Sequence, residues 1–293
     1  MIVVGLDSLA SEKRTAHAAG VGFPRKIAIC LSAIFLVLSG FGATPPPADW
    51  KTTVTNAPRG DFPNPRPLIA AYNFGWSDAV AAHAEIRFTK NDGQLQLNGT
   101  GETVGPVRAL WKFDTKHHAN ADAATLRPIA MHQVDVERQK TVTTDLTFKR
   151  GSVDRLRTDS RSKKTPATKT FRFPGDIFDM FSSLLYFRSQ SLRDGDVYRV
   201  VVYPATTPYL VTLTVAGRAP LKIAAGDYAA IKLDVQISKI GKKGLLEPHK
   251  KFSRATVWVS DDTDRLLLRI EASVFIGTVF AELQSVSFVE SKS

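Results

Sequence analysis

Apolar and polar side chains alternate with a period of two residues along much of the chain. Between residues 80 and 88, every second side chain is apolar: Val80, Ala82, Ala84, Ile86 and Phe88. Neighbouring side chains of a β-strand point to opposite faces, so this pattern predicts a strand with one buried face and one wet face. The pattern recurs, including from Val107 to Phe113, with turn residues about every 8–12 residues. The sequence therefore predicts an all-β, mainly antiparallel fold in which consecutive strands pair.

One segment departs from this alternation and has a helical period. Its apolar positions are Ile177, Phe181, Leu184 and Leu185. Asp176 precedes them and can accept hydrogen bonds from the first free backbone amides, as helix N-caps do. We therefore predict one helix over about residues 176–191, with an aromatic face that packs on the sheet.

Three carboxylates, Asp261, Asp262 and Asp264, lie close together between two alternating stretches. Aspartate favours turns because its carboxylate can accept hydrogen bonds from backbone amides two residues further on. A calcium loop would need a ligand at the position of Leu266 and a glycine that is missing. The pattern predicts a hairpin turn, and a metal site or a catalytic site is the alternative.

Residues 1–43 predict a signal peptide that exports the protein to the periplasm. Arg25 and Lys26 precede the uncharged apolar run Ile27–Leu38, and small residues follow as far as Ala43. The run is shorter than the ~20 residues of a transmembrane helix, and an uncleaved membrane anchor is the alternative. Cleavage would remove Cys30, the only cysteine. The proline-rich residues 44–67 predict an extended lead, which leaves residues 68–290 as a single antiparallel β domain.

Positive charge points to an acidic partner. The 293 residues carry a formal net charge of +11, and basic residues concentrate between residues 149 and 172 and between residues 239 and 254. In an exported protein the expected partners are anionic lipid, lipopolysaccharide or another envelope polymer, and not nucleic acid. Candidate contacts with an anionic surface are Lys163, Lys164, Lys242, Lys243, Lys250 and Lys251. A solvated loop that is kept soluble by its charge is the alternative.

Several short motifs follow one another in the second half of the chain. They comprise Asp176 with Tyr186 and Arg188, Gly195-Asp196, Gly226 with Tyr228, Trp258 to Asp262, and Gly277 with Ala281 and Leu283. Over about residues 68–288 the chain resembles the bacterial exported proteins known as domain of unknown function 3108. The resemblance implies an envelope protein without a settled activity. It also implies a curved or barrel-like sheet with one helix packed on or in its concave face, similar in shape to periplasmic lipoprotein carriers.

An apolar or lipid-like ligand would fit between such a helix and its sheet. The candidate ligand-binding side chains are Phe178, Phe181, Leu185, Tyr186 and Trp258. The same side chains would equally serve as hydrophobic core, and the sequence does not separate the two roles.

Enzyme motifs are missing from the sequence. It contains no Gly-x-Ser-x-Gly, His-Glu-x-x-His or Walker sequence, so no residue is assigned to catalysis, to a metal or to a cofactor. The adjacent His117 and His118 would point to opposite faces of a strand. We therefore expect a non-enzymatic envelope protein that binds an apolar ligand and an anionic surface. The alternatives are a scaffold that binds another envelope protein and an enzyme that acts on envelope glycan or lipid.

Overall fold

The fold is described from a computed structural model, which covers residues 49–54, 58–77, 79–248, 254–274 and 277–289. The predicted signal peptide, with its apolar run and Cys30, lies outside these residues. So do residues 44–48 and 55–57 of the predicted lead. The division of the chain into signal peptide, lead and β domain therefore stays a prediction.

Sixteen strands make up most of the described part of the chain. They are β1 Leu68–Trp76, β2 Ala79–Asn91, β3 Gln94–Thr103, β4 Phe113–Asp122, β5 Pro128–Glu137, β6 Lys140–Lys149, β7 Ser152–Asp159, β8 Lys169–Arg172, β9 Ile177–Phe178, β10 Val197–Val202, β11 Tyr209–Ile223, β12 Gly226–Ile240, β13 Leu246–Pro248, β14 Arg254–Ser260, β15 Leu267–Ser273 and β16 Thr278–Phe288. The described residues also form two α-helices, α1 Gly105–Leu110 and α2 Met180–Ser189, and short 3-10 helices at Thr52–Val54 and Lys242–Gly244.

All sixteen strands belong to one sheet. Strands β1 to β8 pair in chain order, β1 also pairs with β16, and the sheet continues through β15, β14, β12, β11 and β10 to β9. We call β1–β8 the first half of the sheet and β9–β16 the second half. Among the described pairs only β9 and β10 run parallel, because β9 lies on the far side of the crossover that contains α2. The predicted antiparallel all-β fold is confirmed.

The sheet is strongly curved, and side chains join its two ends. Phe171 of β8 stacks on Tyr203, which directly follows β10, with ring centroids 5.6 Å apart. Arg155 of β7 donates a hydrogen bond to the backbone carbonyl of Thr206 at 2.8 Å. Strand β10 is covered on both faces, since Val200 and Val202 pack in one apolar cluster and Val201 packs in another. The predicted barrel-like curvature is therefore present, and side-chain contacts rather than backbone pairing close it.

The alternation in β2 has the predicted orientation. Ala84 and Phe88 are buried, whereas His83, Glu85 and Arg87 on the other face are exposed. Alternation misled the prediction between Val107 and Phe113, where the chain first forms α1 and only then a strand. The physical reason is that Pro106 lies in the first turn of α1, where its fixed φ suits a helix and its missing N–H is not needed.

The predicted long helix is shorter than expected and begins later. Asp179, not Asp176, is the N-cap of α2: its Oδ1 accepts from the backbone N–H of Ser182 at 2.6 Å, and the Ser182 hydroxyl accepts from the backbone N–H of Asp179 at 3.0 Å. This reciprocal pair is a capping box, which satisfies two amides at once. Asp176 instead forms an ion pair with Arg127. In the described part of the chain no helix is long and apolar enough to cross a membrane.

Candidate functional site

Helix α2 lies between the two halves of the sheet. Phe181 and Leu185 pack in the cluster that includes Phe88 and other first-half residues. Tyr186 and Phe187 pack in the cluster formed by β10, β11 and β12 of the second half. A helix that is apolar on several sides must be enclosed, because only burial stabilises so much apolar surface. The predicted position of the helix on the concave face of the sheet is therefore borne out.

The five predicted ligand-binding side chains fall into three groups. Phe178 and Tyr186 contact each other, with ring centroids 5.2 Å apart, and are 1% and 6% exposed. Phe181 and Leu185 are each 5% exposed, and the Phe181 ring lies 6.0 Å from that of Phe88. Trp258 is partly buried in a third cluster with Tyr72, Leu268 and Leu283. Four of the five thus surround or belong to α2, and Trp258 lies apart from them.

The amino end of α2 holds a buried carboxylate. Asp179 is 1% exposed, and its Oδ1 also accepts from the Ser182 hydroxyl at 2.6 Å. Its Oδ2 is buried and makes no hydrogen bond within the described part of the chain. Burial raises the pKa of Asp179 to about 6, and the hydrogen bonds from Ser182 only partly oppose this. Asp179 therefore caps the helix, although its buried carboxylate lacks part of the solvation that water would give it.

Two arginines hold the carboxyl end of α2. Arg265 donates to the carbonyl of Arg188 at 2.7 Å and also to that of Gln190. Arg188 donates through Nε to the carbonyl of Asp264 at 2.9 Å, and the ring of Phe62 lies under both guanidinium groups. Burial lowers the pKa of Arg188 to about 10, and the neighbouring charge of Arg265 adds to this effect. The free carbonyls at the end of the helix thus receive donors from the β14–β15 connection.

The acidic stretch is a turn, as the sequence predicted. It connects β14 to β15, and Asp262 Oδ1 accepts from the backbone N–H groups of Asp264 and Arg265 at 2.9 and 3.0 Å. The other two carboxylates point to arginines: Asp261 contacts Arg218 at 2.9 Å, and Asp264 contacts Arg66 at 2.7 Å. The turn therefore places Arg265 against α2 and joins neighbouring segments through ion pairs.

Four of the six predicted basic contacts lie in two loops, which belong to different halves of the sheet. Lys163 and Lys164 belong to the β7–β8 connection, where residues 160–168 are all exposed. Lys242 and Lys243 form part of the 3-10 helix that follows β12, and both are exposed. Lys250 and Lys251 lie outside the described residues.

A row of polar side chains inside the first half was not predicted. Gln133 is 5% exposed and donates to Asp135 at 2.8 Å, and Thr115 donates to the same carboxylate at 2.7 Å. Burial lowers the pKa of His117 to about 4, although a hydrogen bond with Gln133 opposes the shift. These groups satisfy one another, and in the described part of the chain no three His, Cys, Asp or Glu side chains gather as a metal site. The one sequence signal for this row is the alternation along β4, which places His117 on the inward face of the strand.

An open trough of about 710 Å³ crosses the outer face of strands β1 to β5. Its charged lining mixes acids and bases, namely Glu85, Glu102, Asp114, Lys116 and His83. Arg108 engages Asp114 at 2.7 Å, and His83 Nδ1 lies 2.6 Å from the side-chain oxygen of Asn73. The trough thus combines charged side chains of both signs with an apolar lining that includes Ala71, Val134 and Val136.

The family model described as protein of unknown function, DUF3108, matches residues 70–284. The chain belongs to the DUF3108 family. The resemblance seen in the sequence is therefore confirmed. In this DUF3108 protein two of the motifs are neighbours in the fold. Arg188, near the carboxyl end of α2, donates to the turn that directly follows the motif from Trp258 to Asp262.

A solved structure of another protein has a fold similar to that of this DUF3108 protein. A β-barrel-like protein of domain of unknown function DUF1849 from Brucella abortus matches with a TM-score of 0.55 and 10% identity, over 78% of this chain and 99% of that chain. A candidate lipoprotein from Parabacteroides distasonis and a candidate exported protein with a YmcC-like fold from Bacteroides fragilis match with TM-scores of 0.32 and 0.33 and identities of 7% and 6%, each over 78% of this chain and 99% of the other. The first match supports the barrel-like fold, whereas the TM-scores of the other two are too low to indicate a shared fold. No curated protein matches the sequence.

The buried carboxylate of Asp179 makes a pH-dependent prediction. The pKa of this carboxyl is about 6 in the folded protein, against 3.8 for an exposed aspartate. The folded protein therefore takes up a proton as the pH falls through 6, whereas the unfolded chain does not. An asparagine at this position would keep the capping oxygen and cannot ionise. The free energy of unfolding of the wild type, relative to Asp179→Asn, should therefore rise between pH 7 and pH 4.5, by about 2 kcal/mol.

Urea unfolding of both proteins at several pH values measures this difference. The comparison with Asp179→Asn removes the contributions of all other titrating groups, which both proteins share. A difference that is constant with pH would show that Asp179 is solvated or paired in the folded protein.

Proposed function

We propose that this DUF3108 protein is an exported, non-enzymatic protein of the cell envelope that resides in the periplasm and binds an anionic envelope surface. The observation that carries the proposal is the β7–β8 connection. Residues 160–168 are all exposed and include Arg161, Lys163 and Lys164 without any acidic residue. Export rests on the predicted signal peptide.

The β7–β8 connection belongs to one end of the first half of the sheet. In a meander of antiparallel strands, the connections after β1, β3, β5 and β7 all lie at the same end. Two contacts tie them together there: Arg138 N–H donates to the carbonyl of Lys112 at 2.9 Å, and Ser160 N–H donates to that of Thr141 at 2.9 Å. Because the β3–β4 connection contains α1, we call this the α1 end.

Several cations of the α1 end are available to an acidic surface. Besides Lys163 and Lys164, both Lys112 and Arg138 are exposed. Each Lys or Arg near an anionic membrane surface contributes about 1 kcal/mol of attraction, and salt screens it within about a Debye length. Anionic lipid and lipopolysaccharide both present the phosphate groups that such cations bind.

Charge reversal in the β7–β8 connection tests the proposal. Lys163→Glu with Lys164→Glu should weaken co-sedimentation with phosphatidylglycerol-containing vesicles about tenfold or more at low salt, because two attractive charges become repulsive. The effect should shrink as salt is added. Thermal unfolding should not change, because both side chains are exposed.

The pair Lys242→Glu with Lys243→Glu is the matched control in the other half of the sheet. It alters net charge equally, so a smaller loss of binding identifies the β7–β8 connection as the contact. Equal losses from both pairs would assign binding to overall charge. A wild-type protein that does not bind these vesicles would rule out the proposal and favour a scaffold for another envelope protein.

Binding of an apolar ligand is a second candidate, which the position of α2 favours. The helix occupies the concave interior with Phe181, Leu185, Tyr186 and Phe187 buried, which is the place an apolar ligand would take in a carrier. In this candidate function α2 is a plug that leaves the interior when a ligand enters.

Truncation of Phe181 separates the two roles of α2. If the helix is permanent core, Phe181→Ala should cost about 3–5 kcal/mol, because the ring is buried against Phe88. If the helix is a plug, stability should fall much less, and a neutral apolar fluorescent probe should bind the wild type saturably. We expect the large loss of stability. Leu184→Ala on the exposed side of α2 is the control, since Leu184 is 41% exposed.

A further inference from the structure

Exposed apolar side chains gather at the α1 end. Leu110 is 77% exposed, Trp76 is 49% exposed and Val80 is 38% exposed. Leu110 is the last residue of α1, Trp76 ends β1, and Val80 is the second residue of β2. Trp76 and Val80 thus flank the β1–β2 connection, and Leu110 lies in the β3–β4 connection at the same end.

Backbone contacts hold these connections together. The N–H of Val104, just before α1, donates to the carbonyl of Ala81 in β2 at 2.9 Å. On the other side of the β1–β2 connection, the N–H of Ser77 donates to the carbonyl of Thr278 at 2.7 Å. We call Trp76, Val80 and Leu110 the apolar rim.

Helix α1 presents Leu110 from a fixed position. Arg108 donates to Asp114 at 2.7 Å and to the carbonyl of Thr103 at 3.1 Å. Directly after the helix, Trp111 Nε1 donates to Glu137 at 2.8 Å. The side chain of Arg138 donates to the Leu110 carbonyl at 2.8 Å. Because these contacts fix both sides of the helix end, the exposure of Leu110 follows from the fold.

Cations lie on one side of the apolar rim. Lys112 and Arg138 are exposed beside Leu110, and the β7–β8 connection with Lys163 and Lys164 follows at the same end. Tryptophan and leucine partition into the boundary between lipid headgroups and acyl chains, while neighbouring lysine and arginine bind the phosphates. A protein partner is less well matched, since three side chains offer far less than the ~800 Å² that each partner of a stable complex buries.

We infer that the apolar rim inserts into the interfacial region of an anionic lipid bilayer while the neighbouring cations contact the headgroups. This inference rests on the proposed binding of an anionic surface and names a lipid bilayer as that surface. Lipopolysaccharide headgroups or soluble polymers would engage the cations alone, so the apolar rim distinguishes these partners.

Depth-dependent quenching of Trp76 tests the insertion. Vesicles of phosphatidylcholine and phosphatidylglycerol, with bromine placed high on the acyl chains, should shift the tryptophan emission of the wild type to the blue and quench it. Trp50 is only 5% exposed, and Trp111 and Trp258 are partly buried, so most of the response should be lost in Trp76→Phe. Unbrominated vesicles of the same composition are the control for the quenching.

Leu110→Ser should weaken partitioning onto these vesicles about fivefold, because an inserted leucine loses its transfer free energy. Leu245→Ser is the matched control, since Leu245 is 67% exposed in the other half of the sheet and should have no effect. Vesicle binding without quenching of Trp76, and without an effect of Leu110→Ser, would overturn the insertion and leave the electrostatic proposal standing. Failure of the wild type to bind any anionic vesicle would overturn both.

Discussion

The enclosure of α2 between the two halves of the sheet is the constraint on which the rest of the structure depends. Phe181 and Leu185 pack toward the first half, and Tyr186 and Phe187 pack toward the second. Without the helix, both halves would expose apolar inner faces, and a curved sheet of this size would have no common core. The burial of β10 on both faces is a further consequence, because the sheet curves around the helix until side chains of its two ends come into contact.

Holding a helix inside a sheet requires donors and acceptors for its two ends. Asp179 supplies the acceptor at the amino end, and Arg265 supplies the donor at the carboxyl end. The acidic turn makes the second contact possible, since Asp262 fixes the backbone from which Arg265 extends. This explains why the carboxylates that first suggest catalysis or a metal serve packing, and why motifs far apart in the sequence lie close together in the fold. The surfaces left for function are then the outer face and the ends of the sheet.

The alternation of Ala84 and Phe88 with charged neighbours was enough to predict β2, and the motifs around Trp258 were enough to recognise the family. The capping residue of α2 was missed because Asp176 and Asp179 offer the same side chain, and only the position of Ser182 decides between them. Leu110 was read as part of a strand because apolar periodicity does not reveal which side chains the fold leaves exposed. Burial of the Gln133–Asp135 pair likewise depends on contacts between strands, which no local pattern records.

The central claim is that α2 is permanent core and that contacts with the envelope are made at the α1 end. Native-state hydrogen exchange of the α2 amides tests the first part most directly, because exchange reports the free energy of the opening that exposes each amide. We predict that the amides from Leu184 to Ser189 exchange only with the free energy of global unfolding, like those around the buried Leu213 of β11 and Ile231 of β12. Exchange of these α2 amides at a clearly lower free energy, while β11 and β12 stay protected, would show that the helix leaves the sheet by itself and would contradict the account.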